Sequence, residues 1–381
     1  MIVLFLCAAP VHQMHFSDMY ITDIGMRYRT EIWDISMLTG MKDQVNQNYP
    51  EIPKIRSKVE LADRIDCLKK KDKKIVVITN LLIFNLYLIC HLLHARGIPV
   101  LQIDKEGIIF WMQDQYLLKH PDEMSEADKR KYRWKHNSVT RRIFSFLEYR
   151  HVRFDYILGC NNYYPDASRH FVPIHNLKYD EAVISMQQER ILHDPYILFM
   201  DAGLAHLPSF SGKENSINQD EYLRNMNHVF DILEGKYKIP VVIAAHPKAE
   251  YPENPFRGRK VILYKTASLA RYAEFVVAHY STSLIDLVYQ KKPILFLYSK
   301  AYMHSTARTV LMTECEYANL LKAPLVDIMK KEDLDNIQLS YDEGAYDSFL
   351  HQHVVCAGRE NDANAKIILE FLGKLENRIH E

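Results

Sequence analysis

Polar side chains that suit phosphate chemistry follow two apolar runs in the second half of the chain. His246 and Pro247 come directly after the run 241–245, and the segment HYSTS, which begins at His279, comes directly after the run 275–278. Imidazole and hydroxyl groups donate hydrogen bonds to phosphate oxygens, and a histidine can also protonate a departing phosphate. These residue types indicate a site that handles a phosphate group.

A parallel sheet would bring these side chains to one edge. Three apolar, β-branched runs without polar alternation predict its buried strands: 241–245, 261–264 and 275–278. Ligands of such sheets bind beyond the carboxyl ends of the strands. Ser281, Thr282 and Ser283 precede a helical pattern that begins at Leu284, so they lie at an N-cap, where free N–H groups and the helix dipole favour an anion.

Each of these groups also has a purely structural interpretation. Pro247 restricts the backbone of His246, which could simply bond a nearby carbonyl at the end of a strand. Capping a helix needs one hydroxyl, so three in a row leave one or two for a ligand. Because the histidine and the hydroxyls are expected together, we favour a phosphate site in which Lys248 is a further contact.

Two acidic residues extend the candidate site. Asp201 follows the predicted strand 196–200 and precedes Ala202 and Gly203. Its carboxylate could be a general base, or it could form an Asx turn, and His206 nearby is equally ambiguous. Asp286, in the first turn of the helix that follows the hydroxyls, could reach a ribose.

Two segments of the first half carry weaker signals. His12, His15 and Asp18 lie in a predicted loop, 11–20, after the first strand, and the histidines could bind a metal or deprotonate an acceptor. No third ligand is evident from the spacing. The basic, aromatic stretch 129–150 could contact an anionic membrane or a lipid-linked acceptor, although a solvated helix face is the commoner explanation.

Composition narrows the class of protein. The 381 residues predict two domains, and 48% apolar with 25% charged residues is ordinary for a globular chain. A formal net charge of zero gives no support for a general nucleic-acid role. With 12 glycines and neither GxGxxG nor a P-loop pattern, the sequence argues against a classical dinucleotide or P-loop site.

The six cysteines lack metal-binding spacing, which favours a reducing compartment. The apolar run 81–93 is too short to span a membrane, and the chain begins without a basic signal region. We therefore expect a cytoplasmic protein, with peripheral contact at the inner membrane face as an additional expectation.

A strand–helix rhythm in both halves predicts an α/β protein with two domains. We place an N-terminal domain at 1–187, a C-terminal domain at 188–350, and a final helix at 351–381 that packs back towards the first domain. Residues 161–194 are expected to be irregular and to contain the interdomain linker, near 180–194. The amphipathic stretch 362–379 predicts the final helix.

The HP pair and the later Ser/Thr-rich turn, followed by a helix and the KKPI strand, resemble GT-B glycosyltransferases of bacterial surface-polysaccharide synthesis. The likeness is to CMP-sugar users: sialyltransferases, polysialyltransferases and Kdo transferases of capsule or lipopolysaccharide. It covers roughly 195–300 by motif. It implies two Rossmann-like domains facing a central cleft, with an acceptor-binding N-terminal domain and a donor-binding C-terminal domain.

The resemblance also implies site roles. His246, with Pro247 and Lys248, would contact the CMP phosphate, and Ser281, Thr282 and Ser283 would hold the same phosphate without a metal or a cofactor other than the CMP-sugar donor. Sialyltransferases have a paired acidic motif before a glycine, whereas this chain has Asp201 alone as a candidate base.

Two alternatives remain open. The segment HYSTSLIDLVYQKKPILF is also similar to part of the CDP-glycerol glycerophosphotransferases, which polymerise teichoic acid. A non-catalytic, nucleotide-sugar-binding subunit of a polysaccharide assembly complex is the alternative from another class. The favoured hypothesis is transfer of sialic acid, another nonulosonic acid or Kdo to a cell-surface glycan or a lipid-linked glycan.

Overall fold

Apolar segments of the chain form two six-stranded parallel sheets in a computed structural model. The structure describes residues 1–41, 49–81, 89–105, 107–130, 153–163, 168–204, 206–207, 210, 216–246, 248, 251, 253–330, 334, 337 and 339–378. Two compact units contain one sheet each. The first unit comprises Met1–Gly107, Met124–Leu177 and Val355–Glu381, and the second comprises Ile108–Glu123 and Lys178–Val354.

The first unit is built on a sheet with the strand order β2-β1-β3-β4-β5-β6. Its strands are β1 Ile2–Cys7, β2 Arg29–Asp34, β3 Ile75–Thr79, β4 Val100–Ile103, β5 Phe154–Gly159 and β6 Ser168–Pro173. Every residue of β1 and β3 is buried, as the uninterrupted apolar runs predict for strands covered on both faces. In register, Val3 lies between Thr30 and Val76.

The second unit has the strand order β12-β11-β10-β7-β8-β9. Its strands are β7 Ile197–Met200, β8 Val241–Ala245, β9 Val261–Leu263, β10 Val276–Ala278, β11 Ile294–Tyr298 and β12 Leu325–Asp327. All pairs are parallel, and Leu198 lies between Val242 and Val276 in register. The edge strand β9 is only partly buried, as expected where one side of a strand lacks a neighbour.

Helices connect the strands. In chain order they are α1 Gln13–Asp18, α2 Ile21–Gly25, α3 Lys58–Lys71, α4 Cys90–His94, α5 Gly107–Lys119, α6 Tyr179–Ser185, α7 Gln219–Tyr237, α8 Thr266–Tyr272, α9 Leu284–Tyr289, α10 Arg308–Leu321, α11 Glu343–His353 and α12 Asn364–Arg378. Local sequence explains several starts. The side chain of Asn218, for example, accepts a hydrogen bond from the N–H of Glu221 at the beginning of α7.

The terminal helix α12 is part of the first unit. Its apolar face, Ile367, Ile368, Leu372 and Leu375, lies in the same buried cluster as Val3 and Phe5 of β1. The buried side chain of His175 holds the segment before this helix: Nδ1 accepts from the N–H of Cys356 at 2.9 Å, and Nε2 lies 3.0 Å from the carbonyl oxygens of Arg359 and Asp362.

Several expectations about local structure were wrong. The predicted loop 11–20 contains α1, and the predicted irregular stretch 161–194 contains β6 and α6. The chain leaves the first unit at Leu177, so α6 is not a linker: its Ser185 hydroxyl accepts from Gln290 within the second unit. These elements are short or lie at an edge, so they bury too few residues to show a clear period.

At the helix α5 the chain passes from the first unit to the second, which the sequence did not indicate. Although this helix follows β4 of the first sheet, residues 108–123 belong to the second unit. Tyr116 lies in that unit's core, and Lys119 pairs with Glu316 at 2.6 Å.

Two sequence-based expectations concern membranes: contact through the basic stretch 129–150 and the lack of a spanning segment. Most of the basic stretch 129–150 lies outside the described residues, of which it includes only Lys129 and Arg130. Within the described ranges, no helix combines the length and the apolar character that crossing a membrane requires.

Candidate functional site

Three neighbouring strands of the second sheet end in the polar residues that the sequence analysis selected. The strands β10, β7 and β8 lie side by side, and His279, Asp201 and His246 directly follow them. The strand β7 lies between the strands that lead to His246 and to the hydroxyl cluster, so the backbones of these two strands end about 10 Å apart at an ordinary strand spacing. The candidate site is therefore three strands wide, with Asp201 in the middle.

His246 is held in a defined orientation. Its Nδ1 accepts a hydrogen bond from the backbone N–H of Lys248 at 3.1 Å, and no other described residue bonds to the ring. Burial lowers the pKa of His246, the Lys248 ammonium lowers it further, and Asp201 opposes both. An acceptor at Nδ1 places the proton of the neutral ring on Nε2. His246 is thus arranged as a neutral hydrogen-bond donor; Pro247 lies outside the described residues.

One of the three hydroxyls of the turn after β10 is used locally. Ser281 Oγ accepts from the backbone N–H of Ser283 at 3.3 Å. Ser283 precedes α9 without a side-chain cap bond, and Thr282 is exposed. In the described part of the chain, no hydrogen bond to either of these two hydroxyls is found. Because α9 has only six residues, its N–H groups and these hydroxyls, rather than a long helix dipole, would contact an anion.

Asp201 shapes the loop after β7. Its side chain is 6% exposed. Its Oδ1 accepts from the N–H of Gly203 at 2.9 Å, which is the Asx turn considered above, and its Oδ2 accepts from the Tyr251 hydroxyl. Both carboxylate oxygens are therefore bonded. This geometry suits a residue that orders the loop, and the general-base role stays a prediction.

Gly203 is required by the same loop. Its φ is +69°, a left-handed value that side chains disfavour, and an added Cβ would lie 2.7 Å from Leu207 Cγ and 3.5 Å from His246 Cβ. The Asp201 turn consequently packs directly beside His246.

His206 lies beside the loop of Asp201. Its Nδ1 is 3.0 Å from Gln219 Nε2, and its ring lies edge-on to Tyr251, with centroids 4.7 Å apart. Burial lowers the pKa of His206, while the Asp201 carboxylate acts in the opposite direction. His206 thus helps to enclose Tyr251, the hydroxyl partner of Asp201.

A buried network behind this edge was missed from the sequence. The Tyr222 hydroxyl is 2.9 Å from His279 Nε2, and His279 Nδ1 is 3.3 Å from Glu314 Oε2. His279 therefore points into the core and not towards a ligand. The sequence of α10 gave no distinct signal, because Glu314 lies between Thr313 and Cys315 with a second glutamate at 316.

The N-terminal candidates lie in the first unit. His15 is buried in α1, its Nδ1 accepts from the N–H of His12 at 3.2 Å, and burial lowers its pKa to about 4. Asp18 pairs with Lys105 at 2.5 Å. Across the described ranges, no group of three or more His, Cys, Asp or Glu side chains is placed to hold a metal.

Asp286 does not face the hydroxyl cluster. Its side chain is 6% exposed, its Oδ1 lacks a hydrogen bond within the described residues, and α9 packs against α6. Burial, with a smaller contribution from Glu181, raises the pKa of Asp286 to about 7, and Lys178 opposes this shift. A ribose contact is not favoured by this placement.

This burial predicts a pH-dependent stability. The unfolded carboxyl ionises near its ordinary pKa of 3.8, whereas the folded one stays protonated to about 7, so stability is lost as pH rises between these values. Asp286→Asn should therefore raise the free energy of unfolding at pH 8 by up to about 4 kcal/mol, and by less at pH 5. Denaturant unfolding at both pH values measures this, with Asp220→Asn, an exposed first-turn acid of α7, as control. An equal gain at both pH values would rule out this account.

No protein-family model and no curated protein matches the chain. Among solved structures, UDP-GlcNAc 2-epimerase from Methanocaldococcus jannaschii is similar with a TM-score of 0.50 and 12% identity, over 98% of this chain and 99% of that chain. The two six-stranded parallel sheets agree with that likeness. The chain has the GT-B-like fold.

Further structures are similar at lower scores. UDP-GlcNAc 2-epimerase from Neisseria meningitidis, bound to UDP-GlcNAc, has a TM-score of 0.48 and 14% identity, over 98% of this chain and 100% of that chain. Spinosyn forosaminyltransferase SpnP has a TM-score of 0.42 and 12% identity, over 100% of this chain and 99% of that chain. At these identities the likeness concerns the fold alone.

In this GT-B-like chain, strand order marks one crevice in the second unit. From β7 the sheet grows through β8 and β9 on one side and through β10, β11 and β12 on the other. Open α/β sheets bind ligands where this direction reverses, outside the carboxyl ends of the strands. That switch point lies between β7 and β10, so it is flanked by the Asp201 loop and the Ser281 turn.

Proposed function

We propose that this chain is a glycosyltransferase that binds a nucleotide-activated sugar at the switch point between β7 and β10. The observation that supports this most is the convergence of the Asp201 loop, the Ser281 turn and His246 at one sheet edge. The HP and Ser/Thr pattern favours a CMP-sugar, with sialic acid, another nonulosonic acid or Kdo as the transferred group. The acceptor would be a cell-surface glycan bound by the first unit.

Contacts within the second unit support the proposed roles. His246 Nε2–H would donate to a phosphate oxygen, and the interaction would strengthen as negative charge develops on the departing nucleotide. Thr282 and Ser283 would hold the same phosphate with their hydroxyls and the adjacent N–H groups. We propose that these donors replace a metal ion, so turnover should persist in the presence of a chelator.

The donor assignment predicts selective stabilisation by cytidine nucleotides. CMP or CDP should raise the melting temperature more than UDP or GDP, because the likeness of the HP and Ser/Thr motifs is to CMP-sugar enzymes. At 100 times the dissociation constant, a ligand adds about 2.7 kcal/mol of stability. A thermal-shift series with the four nucleotides measures this. Equal stabilisation by all four, or by none, would contradict the donor assignment, and selectivity for UDP would replace CMP with a uridine donor.

Turnover separates the alternatives that share a cytidine nucleotide. A glycosyltransferase releases CMP from a CMP-sugar in the presence of an acceptor glycan. A glycerophosphotransferase instead releases CMP from CDP-glycerol, and a non-catalytic binding subunit releases CMP from neither. Incubation with each donor, followed by quantification of CMP, therefore distinguishes the three.

A further inference from the structure

Three buried polar side chains form a line behind the Ser281 turn. Tyr222 on α7 is 2% exposed, His279 at the end of β10 is 1% exposed, and Glu314 on α10 is fully buried. The Tyr222 hydroxyl is 2.9 Å from His279 Nε2, and His279 Nδ1 is 3.3 Å from Glu314 Oε2. The imidazole thus joins two helices to the strand end that leads directly into the turn.

Stability alone does not account for this arrangement. Removing a carboxylate from water is costly, and well-packed apolar residues of similar volume are often at least as stabilising as a buried ionic group. His279 lies beside the apolar core of the second unit, with the Phe199 ring centroid 6.1 Å from its own. In some proteins a buried polar network of this kind fixes one arrangement of the core.

The network lies directly before the first residue of the turn. Burial raises the pKa of Glu314, and His279 together with the backbone N–H groups of Leu297 and Tyr280 opposes that rise. His279 directly precedes Tyr280 in the chain, so the contact of its Nδ1 with Glu314 lies at the start of the turn. At the other end, burial raises the pKa of the Tyr222 hydroxyl, and the Asp201 carboxylate adds to this rise.

We propose that Glu314, His279 and Tyr222 are positioning residues that hold the turn 280–283 in the conformation that binds the nucleotide phosphate. Through the two contacts of its imidazole, His279 fixes the end of β10, directly before Tyr280. The turn then presents the hydroxyls of Thr282 and Ser283 without rearrangement when the phosphate arrives. The identity of the ligand rests on the proposed function. The inference that these three residues hold the turn in place does not.

Two conservative variants and one matched control test the proposal. Tyr222→Phe removes only the hydroxyl that bonds His279, and Glu314→Gln removes the charge with little change of shape. Tyr196→Phe is the control, because the Tyr196 hydroxyl is also buried and donates to the Leu269 carbonyl at 2.6 Å, but next to the amino end of β7. For each protein we would measure the melting temperature, hydrogen exchange of residues 280–283, and the dissociation constant for CMP.

We expect Tyr222→Phe and Glu314→Gln to speed exchange in residues 280–283 and to weaken CMP binding by up to about tenfold, the effect of one lost hydrogen bond. Tyr196→Phe should lower the melting temperature by a similar amount. It should change neither the hydrogen exchange of residues 280–283 nor the dissociation constant for CMP. Unchanged exchange in both test variants would overturn the proposal. So would faster exchange with unaltered CMP affinity. Faster exchange in a protein whose wild type binds no CMP, CDP, UDP or GDP would support the held turn and reject the proposed function instead.

Discussion

His246→Ala is expected to leave the protein folded and to reduce turnover about 10²–10³-fold, the usual effect of removing one preorganised donor from a developing negative charge. The loss should appear mainly in kcat, with a smaller change in the KM of the donor substrate. Turnover with a CMP-sugar, recorded beside a thermal melt, measures it. His193→Ala is the control, since His193 is an exposed histidine of the same unit. A folded His246→Ala protein within about threefold of the wild-type kcat would exclude His246 from the reaction.

Two further variants test which nitrogen of His246 acts. Because Nδ1 accepts from the N–H of Lys248, the proton available to a phosphate is on Nε2. Glutamine can place an amide N–H near the position of Nε2, whereas asparagine reaches only that of Nδ1. His246→Gln should therefore retain more activity than His246→Asn. The reverse order would contradict the assignment of Nε2.

The pH profile separates a neutral donor from a proton donor. The pKa of His246 lies below its ordinary value of 6.5, so the neutral ring prevails above that pH. A neutral donor predicts activity that is constant above pH 6.5 and falls at lower pH, where protonation of Nδ1 disrupts its bond to Lys248. An imidazolium acid predicts the opposite trend. A loss of activity through His246 as pH rises would show that the ring donates a proton.

Loss of the terminal helix should have the largest effect on stability. Leu372 of α12 is fully buried in the core that includes Val3 and Phe5, so Leu372→Ala should lower the free energy of unfolding by about 2–5 kcal/mol. Removing the whole helix should expose the adjoining face of the first sheet and reduce solubility. Denaturant unfolding and thermal melts measure both effects.

Lys374→Ala provides the matched control within the same helix, because Lys374 is exposed. It should change the free energy of unfolding by less than about 0.5 kcal/mol. A truncated protein that ends before Asn364 and melts like the full chain would show that α12 contributes nothing to the first unit.

Continuous apolar runs were sufficient to predict the strands that lead to the candidate site. The run 241–245 became β8 with identical limits, and 275–278 became β10 with one residue fewer. The final helix, expected at 362–379, is Asn364–Arg378. These elements are readable because each buries a continuous or periodic apolar surface. The edge strand β6 and the short helices α1 and α6 were missed, since partial burial leaves their sequences mixed.

The sequence by itself determined that His246, Asp201 and the hydroxyls of residues 281–283 lie at one edge of a sheet. Parallel strands share a carboxyl edge whatever their order. Only the tertiary structure decided that β7 lies between β8 and β10, since strand order depends on packing between distant segments. It also turned His279 inward, onto Tyr222 and Glu314, which are 57 and 35 residues away in the chain. Such contacts leave no local period or motif, and for that reason the positioning network was visible only in the folded chain.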